Sequence, residues 1–526
     1  MSTLDKYGRS DRFTQNSRVY FLAFMAYWGI VLFGYDTGIA GGIVSQPGFK
    51  NAFGFGSTSA ADKHKSTVIS SNVVSVLQAG AFFGALGSAP LSAAIGRRWS
   101  LVIWTLLFSV GAAIQTAAGP GQLSYIYAGR VVAGVGVGAI SAVAPAYVSE
   151  CSPKQVRGRI TGLFQIMVAI GVMISYFLNL GVSLHIKEGP RIWRIGFGFQ
   201  LVPAGIMCIG LLFVKESPRW LASKGRAAEA LANLAYLRKL HPEHEEVRLE
   251  FAEIEASIEE ERAARTGLGY REAFLGKGNW PRFLIAFVMF LFQQWSGQNS
   301  VSYYAPQIFT AIGYSGTTNS LLASGIYGIV KVVATTIFVF FFIERFGRKV
   351  SLSVSALGMG ILFFIVGAIL ITHPTTAGAS VGSPQRAMAA MLYIYVCFYS
   401  FGWGPTPWIY VSDIFPTRTR HYGLAFASAT QWLFNFVVSK VTPTLEADLV
   451  AKLFFMFATI NIGGMFVFSL LLPETKGRSL EEMDIIFGSI TAEERRTHIA
   501  DAQKVIDHEL INHDQGSNMS DHPEKV

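Results

Sequence analysis

Asp36, Arg130 and Lys331 are ionisable, yet each sits in a run that is otherwise almost free of charge. Asp36 falls in FGYDTG (33–38), Arg130 in GRVVAGVGVG (129–138) and Lys331 in GIYGIVKVVATTIF (325–338). A charge in such a run is costly unless it pairs, lines a polar path or changes protonation. Asp36 and Arg130 suit each other as a proton-handling pair, because protonating the carboxyl would release the guanidinium; a static salt bridge is the plainer alternative. Lys331 has no acid at matching depth, and a cation there suits a carboxylate on a ligand. A second set consists of the amides Gln165, Gln293, Gln294, Asn299 and Asn435, with Trp408 as an aromatic companion. Amides donate and accept, which fits a hydroxyl-rich ligand, although they also bond helix to helix. Tyr303 and Tyr304 are candidate gates to such a site.

Other chemistry is not expected. Cys151, Cys208 and Cys397 have neither disulfide nor metal-ligand spacing, and no histidine cluster accompanies them. No metal, nucleotide loop or nucleophile triad is apparent, so an enzyme is not expected. VAGVGVGAI has the look of a phosphate loop but no strand precedes it; small residues for helix contact are the better reading.

These residues need elements to hold them. Of the 526 residues 51% are hydrophobic and 15% charged, where a soluble chain is about a quarter charged. Twelve apolar stretches read as membrane spans, at 19–42, 69–92, 100–119, 124–147, 160–182, 194–214, 282–305, 320–343, 350–372, 387–410, 422–440 and 452–472. The expected fold is an all-α membrane protein. With the N-terminus inside, and basic residues at span edges counted with the adjoining segment, cytoplasmic segments carry 32 Lys/Arg and outer loops 9, which places both termini in the cytoplasm. The net charge of +9 then reflects loops beside anionic lipid, and no nucleic-acid partner is implied. Residues 1–18 are polar and show no cleavable signal. Asp36 and Arg130 lie at similar depth in the outer third of spans 1 and 4, whereas Lys331 is central in span 8. A lysine there costs ~2.5–3.5 kcal/mol on the mildest scale.

The chain also repeats itself. YVSE (147–150) matches YVSD (410–413), GRR (96–98) matches GRK (347–349), and KESPRWL (215–221) after span 6 matches PETKGRSLEE (473–482) after span 12. Three matches in the same order predict two pseudo-symmetric six-helix halves. The division expected is a cytoplasmic N-terminus (1–18), a first bundle (19–214), a linker (215–281), a second bundle (282–472) and a cytoplasmic tail (473–526). In the linker, Val247, Phe251, Ile254 and Ile258 make a helical stripe, predicting amphipathic helices against the cytoplasmic face. The tail is polar and reads as disordered; its sequon at Asn518 falls inside the cell and should stay unmodified. Glu150, Arg157, Arg159, Glu216 and Arg219 in one half, with Glu344, Arg348, Asp413, Arg418 and Glu474 in the other, are expected to form two mirrored ion-pair clusters that gate the inner mouth.

Together with QQWSGQNSVSYYAP (293–306), ERFGRK (344–349) and GWGPTPW (402–408), these motifs resemble the sugar porter branch of the major facilitator superfamily across nearly all of 19–485. The resemblance implies alternating access around a site near the midplane between the halves. It also implies substrate contacts from Gln165, Gln293, Gln294, Asn299, Trp408 and Asn435. Relatives with an acid at Asp36 tend to be proton symporters, so the proton gradient would be the energy source with no cofactor. Lys331 replaces a sugar-binding amide of neutral-sugar carriers, and lysines at comparable places occur in carriers resembling quinate permeases. Three departures stand out. Ala93 and Ala94 replace an Asp-Arg pair, Ser400 replaces a glutamate, and Gln298 replaces an apolar residue. The expectation is therefore a monomeric plasma-membrane symporter that imports a sugar acid or cyclic hydroxy acid, D-galacturonate or quinate. A neutral hexose or pentose carrier, proton-coupled or facilitative, is the alternative, and a nutrient sensor is the alternative of another class.

Overall fold

The computed structural model describes residues 16–56, 59–265, 270–276, 278–314, 316–342, 346–374, 381–416, 419–476, 483 and 486–487; all regular structure among them is helical. The first half contains α1 (Ser17–Ser45), a short α2 (Pro47–Ala52), α3 (Ala60–Ile95), α4 (Arg97–Ala117), α5 (Leu123–Cys151), α6 (Lys154–His185), and the successive α7 (Arg191–Gly198) and α8 (Leu201–Phe213). The linker folds as α9 (Pro218–Ser223), α10 (Ala227–Arg238), α11 (Glu245–Arg265) and α12 (Tyr270–Leu275). The second half begins with α13 (Asn279–Trp295), α14 (Gln298–Tyr303) and α15 (Ala305–Ala311). Then come α16 (Thr317–Ile337), continued as a π-helix over Phe338–Phe342, and α17 (Arg348–Thr372). It ends with α18 (Ser383–Phe401), α19 (Thr406–Ile414), α20 (Arg420–Leu449), α21 (Ala451–Thr459), a π-helical Ile460–Phe466 and α22 (Val467–Leu471).

Ten of these helical segments are long and apolar enough to cross a membrane. The other two of the twelve expected spans differ for physical reasons. The seventh is broken: α13 stops at Trp295, Gly297 takes φ +92°, and the chain restarts as α14 and α15. That left-handed conformation is open to glycine at little cost. The eleventh, α20, is a continuous 30-residue helix that carries Lys440, Glu446 and Asp448. With these two the chain has the twelve-helix architecture in two six-helix halves.

Each half buries its own apolar core. One groups residues such as Ala26, Phe108, Val137 and Met207; the other groups Phe290, Met359, Phe363 and Tyr395. The glycines of α5 act as small packing surfaces: a Cβ on Gly134 or Gly138 would lie 2.2 or 2.1 Å from the carbonyl oxygen of Leu77 or Ala81 on α3. In the linker, Val247, Phe251 and Ile254 pack against Leu234 and Ala235. Arg238 donates to the Cys151 carbonyl at 3.0 Å, and Arg18 donates to the Tyr236 carbonyl at 2.7 Å, which ties this layer to the first half. The side of the bundle that carries α9–α12 is called the linker face below; the opposite side is the far face.

Candidate functional site

On the linker face the two halves build the same arrangement from the repeated motifs. Glu216 accepts from the backbone N–H of Arg97 at 3.0 Å and of Arg98 at 3.1 Å, at the start of α4. Glu474 accepts from Arg348 N–H at 2.8 Å and Lys349 N–H at 3.0 Å, at the start of α17. A carboxylate there satisfies unpaired N–H groups and meets the positive end of the helix dipole. Glu150 pairs with Arg97 at 2.9 Å, and Asp413 pairs with Arg348 at 3.5 Å. Ser217 donates to Glu150 at 2.5 Å as Thr475 donates to Asp413 at 3.1 Å. Tyr147 donates to the Lys215 carbonyl, and Tyr410 to that of Pro473. Burial raises the Glu216 carboxyl above the ordinary carboxylate range, opposed by the N–H groups it accepts and by the Arg97 charge.

Among the described members, the clusters differ from the sequence expectation in one. Arg219 pairs with Glu261 of α11 rather than with the acids of its own motif, so it joins the linker to its preceding turn. Among the described residues, the ion pairs stay within one half or within the linker. Glu344 and Arg418 lie outside the described residues, as do the side chains of Arg157 and Arg159 and the sequon at Asn518.

Asp36 and Arg130 meet inside the first half, both buried, with 3.6 Å between Asp36 Oδ1 and Arg130 Nη1. A nearer partner comes from α7–α8: Gln200 Nε2 donates to Asp36 Oδ1 at 2.6 Å. Among the described residues, Asp36 Oδ2 and all three Arg130 guanidinium nitrogens lack a hydrogen-bond partner. The pair is thus in ionic contact but incompletely satisfied, an arrangement whose energy changes strongly with one proton.

The amides of the broken seventh span form a chain. Gln293 Nε2 donates to the carbonyls of Trp403 at 2.9 Å and Gly404 at 3.1 Å. Gln294 Nε2 donates to Gln293 Oε1 at 3.3 Å, and Asn299 donates to Gln294 Oε1. Gln293 therefore spends its donors on the bend after α18, while half-buried Asn299 is the accessible end of the chain. Trp408 packs edge-on against Phe290, one turn before Gln294, with centroids 4.6 Å apart. Asn435 is buried with Oδ1 unpartnered. No hydrogen bond among the described residues ties Gln165 or Lys331 to these amides.

Lys331 is placed by the register of α16. Leu322, Ile326, Ile329 and Val333 form its exposed stripe. At 100° per residue Lys331 lies roughly opposite Leu322, on the face of Ser324, Gly328 and Thr335, all three of which are buried. That face meets α6, where a Cβ on Gly328 would stand 2.9 Å from Met173 Cα. Lys331 is half-buried and, among the described residues, has neither an ion pair nor a hydrogen bond. Polar groups flank it along the helix. Tyr327 donates to Gln298 at 3.1 Å, Gln298 donates to Ser302 at 2.8 Å, and Thr335 donates to Ser400 at 3.1 Å. Two of the sequence departures, Gln298 and Ser400, thus sit in the hydrogen bonds on either side of the lysine.

Tyr303 and Tyr304 are buried in a layer that joins the halves at the far face, together with Tyr35, Ile39 and Ile43 of α1. Gly41 packs directly on α14: a Cβ there would be 1.9 Å from the Tyr303 carbonyl oxygen. Gln307 donates to the Gly41 carbonyl at 3.2 Å, Tyr176 to that of Ser302 at 2.5 Å and Tyr304 to that of Ser439 at 2.6 Å. Lys440 of α20 donates to Asn72 of α3. Gln200, Tyr147, Tyr410 and Lys440 were not among the candidates from sequence. The two tyrosines could have been, because both stand at the head of the YVSE/YVSD repeat.

Comparison with known proteins agrees with this geometry. The family described as "Sugar (and other) transporter" matches residues 22–487. A probable quinate permease of Neosartorya fischeri is 36% identical over 90% of this chain and 88% of its own. The quinate permease of Emericella nidulans is 37% identical over 90% and 89%. Among solved structures, the proton:xylose symporter XylE bound to 6-bromo-6-deoxy-D-glucose superposes with a TM-score of 0.72 at 26% identity. It covers 90% of this chain and 99% of that one. The chain belongs to the sugar porter family of the major facilitator superfamily. It is a multi-pass membrane transporter of small molecules and not an enzyme.

Proposed function

We propose that this transporter is a monomeric, proton-coupled symporter of the plasma membrane that imports a small hydroxylated acid, quinate or D-galacturonate. Both termini and the linker face are cytoplasmic in this reading. The observation that carries the substrate class is Lys331: a cation on the inward face of α16, without an acid to neutralise it, beside hydroxyl and amide groups that suit a polyol ring. The names of the relatives favour quinate within that class. Asp36 supplies the proton site, with Arg130 and Gln200 stabilising its ionised form and its protonation weakening that hold. The buried layer that joins the halves at the far face supports an inward-facing state; in the outward-facing state the clusters would meet across the inner mouth. Uptake of labelled quinate, galacturonate, glucose and xylose, with and without a protonophore, tests this. Protonophore-sensitive accumulation of an acid is expected; preference for a neutral sugar over both acids overturns the substrate reading.

One observation favours a neutral sugar as second reading. The amide chain Gln293–Gln294–Asn299 requires no charge on its ligand, and Lys331 would then donate to a hydroxyl.

A further inference from the structure

At the linker face, α1, α8 and α10 enclose a groove of about 180 Å³ that takes no part in the transport site. It is lined by Arg18, Phe21, Leu22, Phe213, Lys215 and Tyr236, among others. The Tyr236 ring carries two cations, with the Arg18 guanidinium carbon 4.1 Å and the Lys215 ammonium 5.7 Å from its centroid. Arg18 makes one hydrogen bond, to the Tyr236 carbonyl. Neither cation has an acid within ion-pair distance among the described residues. Nearby acids are engaged elsewhere: Glu216 faces the start of α4, and Glu229 is paired with Arg226.

The groove is polar at one end and apolar at the other. Arg18 lies in the first turn of α1 and Lys215 just beyond the end of α8, so both charges sit where the spans leave the bilayer. Phe21, one turn further into α1, and Phe213, the last residue of α8, are 45% and 71% exposed and extend the groove along the spans from the two charges. Two uncompensated cations above an exposed aromatic slot match a molecule with an anionic head and an acyl tail. We infer that this groove binds one anionic phospholipid of the cytoplasmic leaflet, its phosphate and acidic headgroup on Arg18 and Lys215 and an acyl chain along Phe21 and Phe213. The leaflet rests on the orientation proposed above; the binding itself does not depend on substrate or coupling.

Each cation near an anionic headgroup contributes about 1 kcal/mol, so removing both lowers affinity roughly 30-fold. The test is native mass spectrometry of the full-length protein in detergent, titrated with dioleoyl phosphatidylserine or dioleoyl phosphatidylcholine. One phosphatidylserine should remain bound at concentrations that leave phosphatidylcholine free. The Arg18→Gln/Lys215→Gln variant should lose it, and the charge-preserving Arg18→Lys/Lys215→Arg variant should keep it, which separates charge from folding. Arg226→Gln, on an exposed arginine outside the groove, should bind like the unaltered protein. Soluble glycerophosphoserine should not compete at equal concentration, because it lacks the chain. Equal binding of the two lipids, full binding by the Gln/Gln variant or equal loss in Arg226→Gln overturns the inference. So does phosphatidylserine binding that appears only when residues 2–14 are deleted, since the chain's own amino terminus would then be the occupant.

Discussion

Glu216 and Glu474 accept equivalent pairs of backbone N–H groups in the two halves, those of Arg97 and Arg98 at the start of α4 and those of Arg348 and Lys349 at the start of α17. Each acid thus closes the loop between the second and third spans of its half onto the segment that follows the sixth. Loss of the acceptor leaves these two N–H groups short of a partner, together with that of Ser217 at the first site or those of Thr475 and Lys476 at the second, at about 1–3 kcal/mol for each group that stays buried. Glu216→Ala and Glu474→Ala should each lower the melting temperature of the purified protein, and Gln at either site should recover part of it. An unchanged melting temperature in both Ala variants would remove the structural role assigned to these acids.

The raised Glu216 carboxyl gives a pH signature with a defined sign. Between the ordinary carboxylate value and its raised one, the folded state holds a proton that the unfolded state has lost. This contribution is therefore greatest below the ordinary value and disappears as pH rises through the raised one. Glu216→Gln should lose that part of the pH dependence, so the difference in melting temperature between the two proteins should vary with pH across the window. A constant difference would mean that Glu216 does not titrate there.

Asp36 and Arg130 provide a test of coupling that can be separated from stability. Asp36→Asn keeps an oxygen for the Gln200 amide but leaves Arg130 buried without its counter-charge, a loss on the order of 3–5 kcal/mol. Asn at 36 combined with Met at 130 should regain stability without regaining accumulation. In both variants the steady-state accumulation ratio, measured in vesicles without a membrane potential, should fall to ~1, and exchange of labelled for unlabelled substrate should continue in the more stable one. Concentrative, pH-dependent uptake by Asp36→Asn would refute the proton role.

Gly41 leaves no room for a side chain against α14. Gly41→Ala should hold the far-face layer apart and shift the population outward-facing. A cysteine at position 307 in a cysteine-free background should then react faster with a membrane-impermeant maleimide added to the far face. Unchanged labelling would show that the layer closes despite the added methyl.

How far the sequence spoke depended on whether the signal was local. The spans, the duplication and the break at Gly297 follow from runs of apolar residues, repeated tetrapeptides and one glycine between amides. The inward face of Lys331 follows from helical register. Gln200 was silent because its bond to Asp36 joins residues 164 positions apart and nothing in its neighbours marks it. Arg219 misled for the opposite reason. Its motif placed it beside Glu216, but α11 folds back and offers Glu261 as the ion-pair partner. Gln293 was legible as a mid-span amide, but its commitment to the Trp403 and Gly404 carbonyls depends on a bend after α18 that only the three-dimensional packing reveals.

In the proposed reading Lys331 decides the substrate class, and its test is the sharpest. A charge-assisted hydrogen bond to a ligand carboxylate contributes ~1.5–3 kcal/mol, about 10- to 150-fold in affinity. Lys331→Met removes the charge while keeping an unbranched side chain on the same face of α16 and leaving Tyr327–Gln298 and Thr335–Ser400 in place. It should raise KM for the preferred acid by that factor and leave membrane abundance unchanged, because a lone lysine near mid-span costs stability rather than adding to it. The same variant should discriminate less against a neutral analogue of the acid, since the site no longer carries an uncompensated cation. Lys331→Arg should retain more acid transport than Met, the loss reflecting the longer, planar head. If Lys331→Met transports the acid with unchanged KM, the lysine does not hold the carboxylate, and the amide chain of the seventh span becomes the centre of recognition.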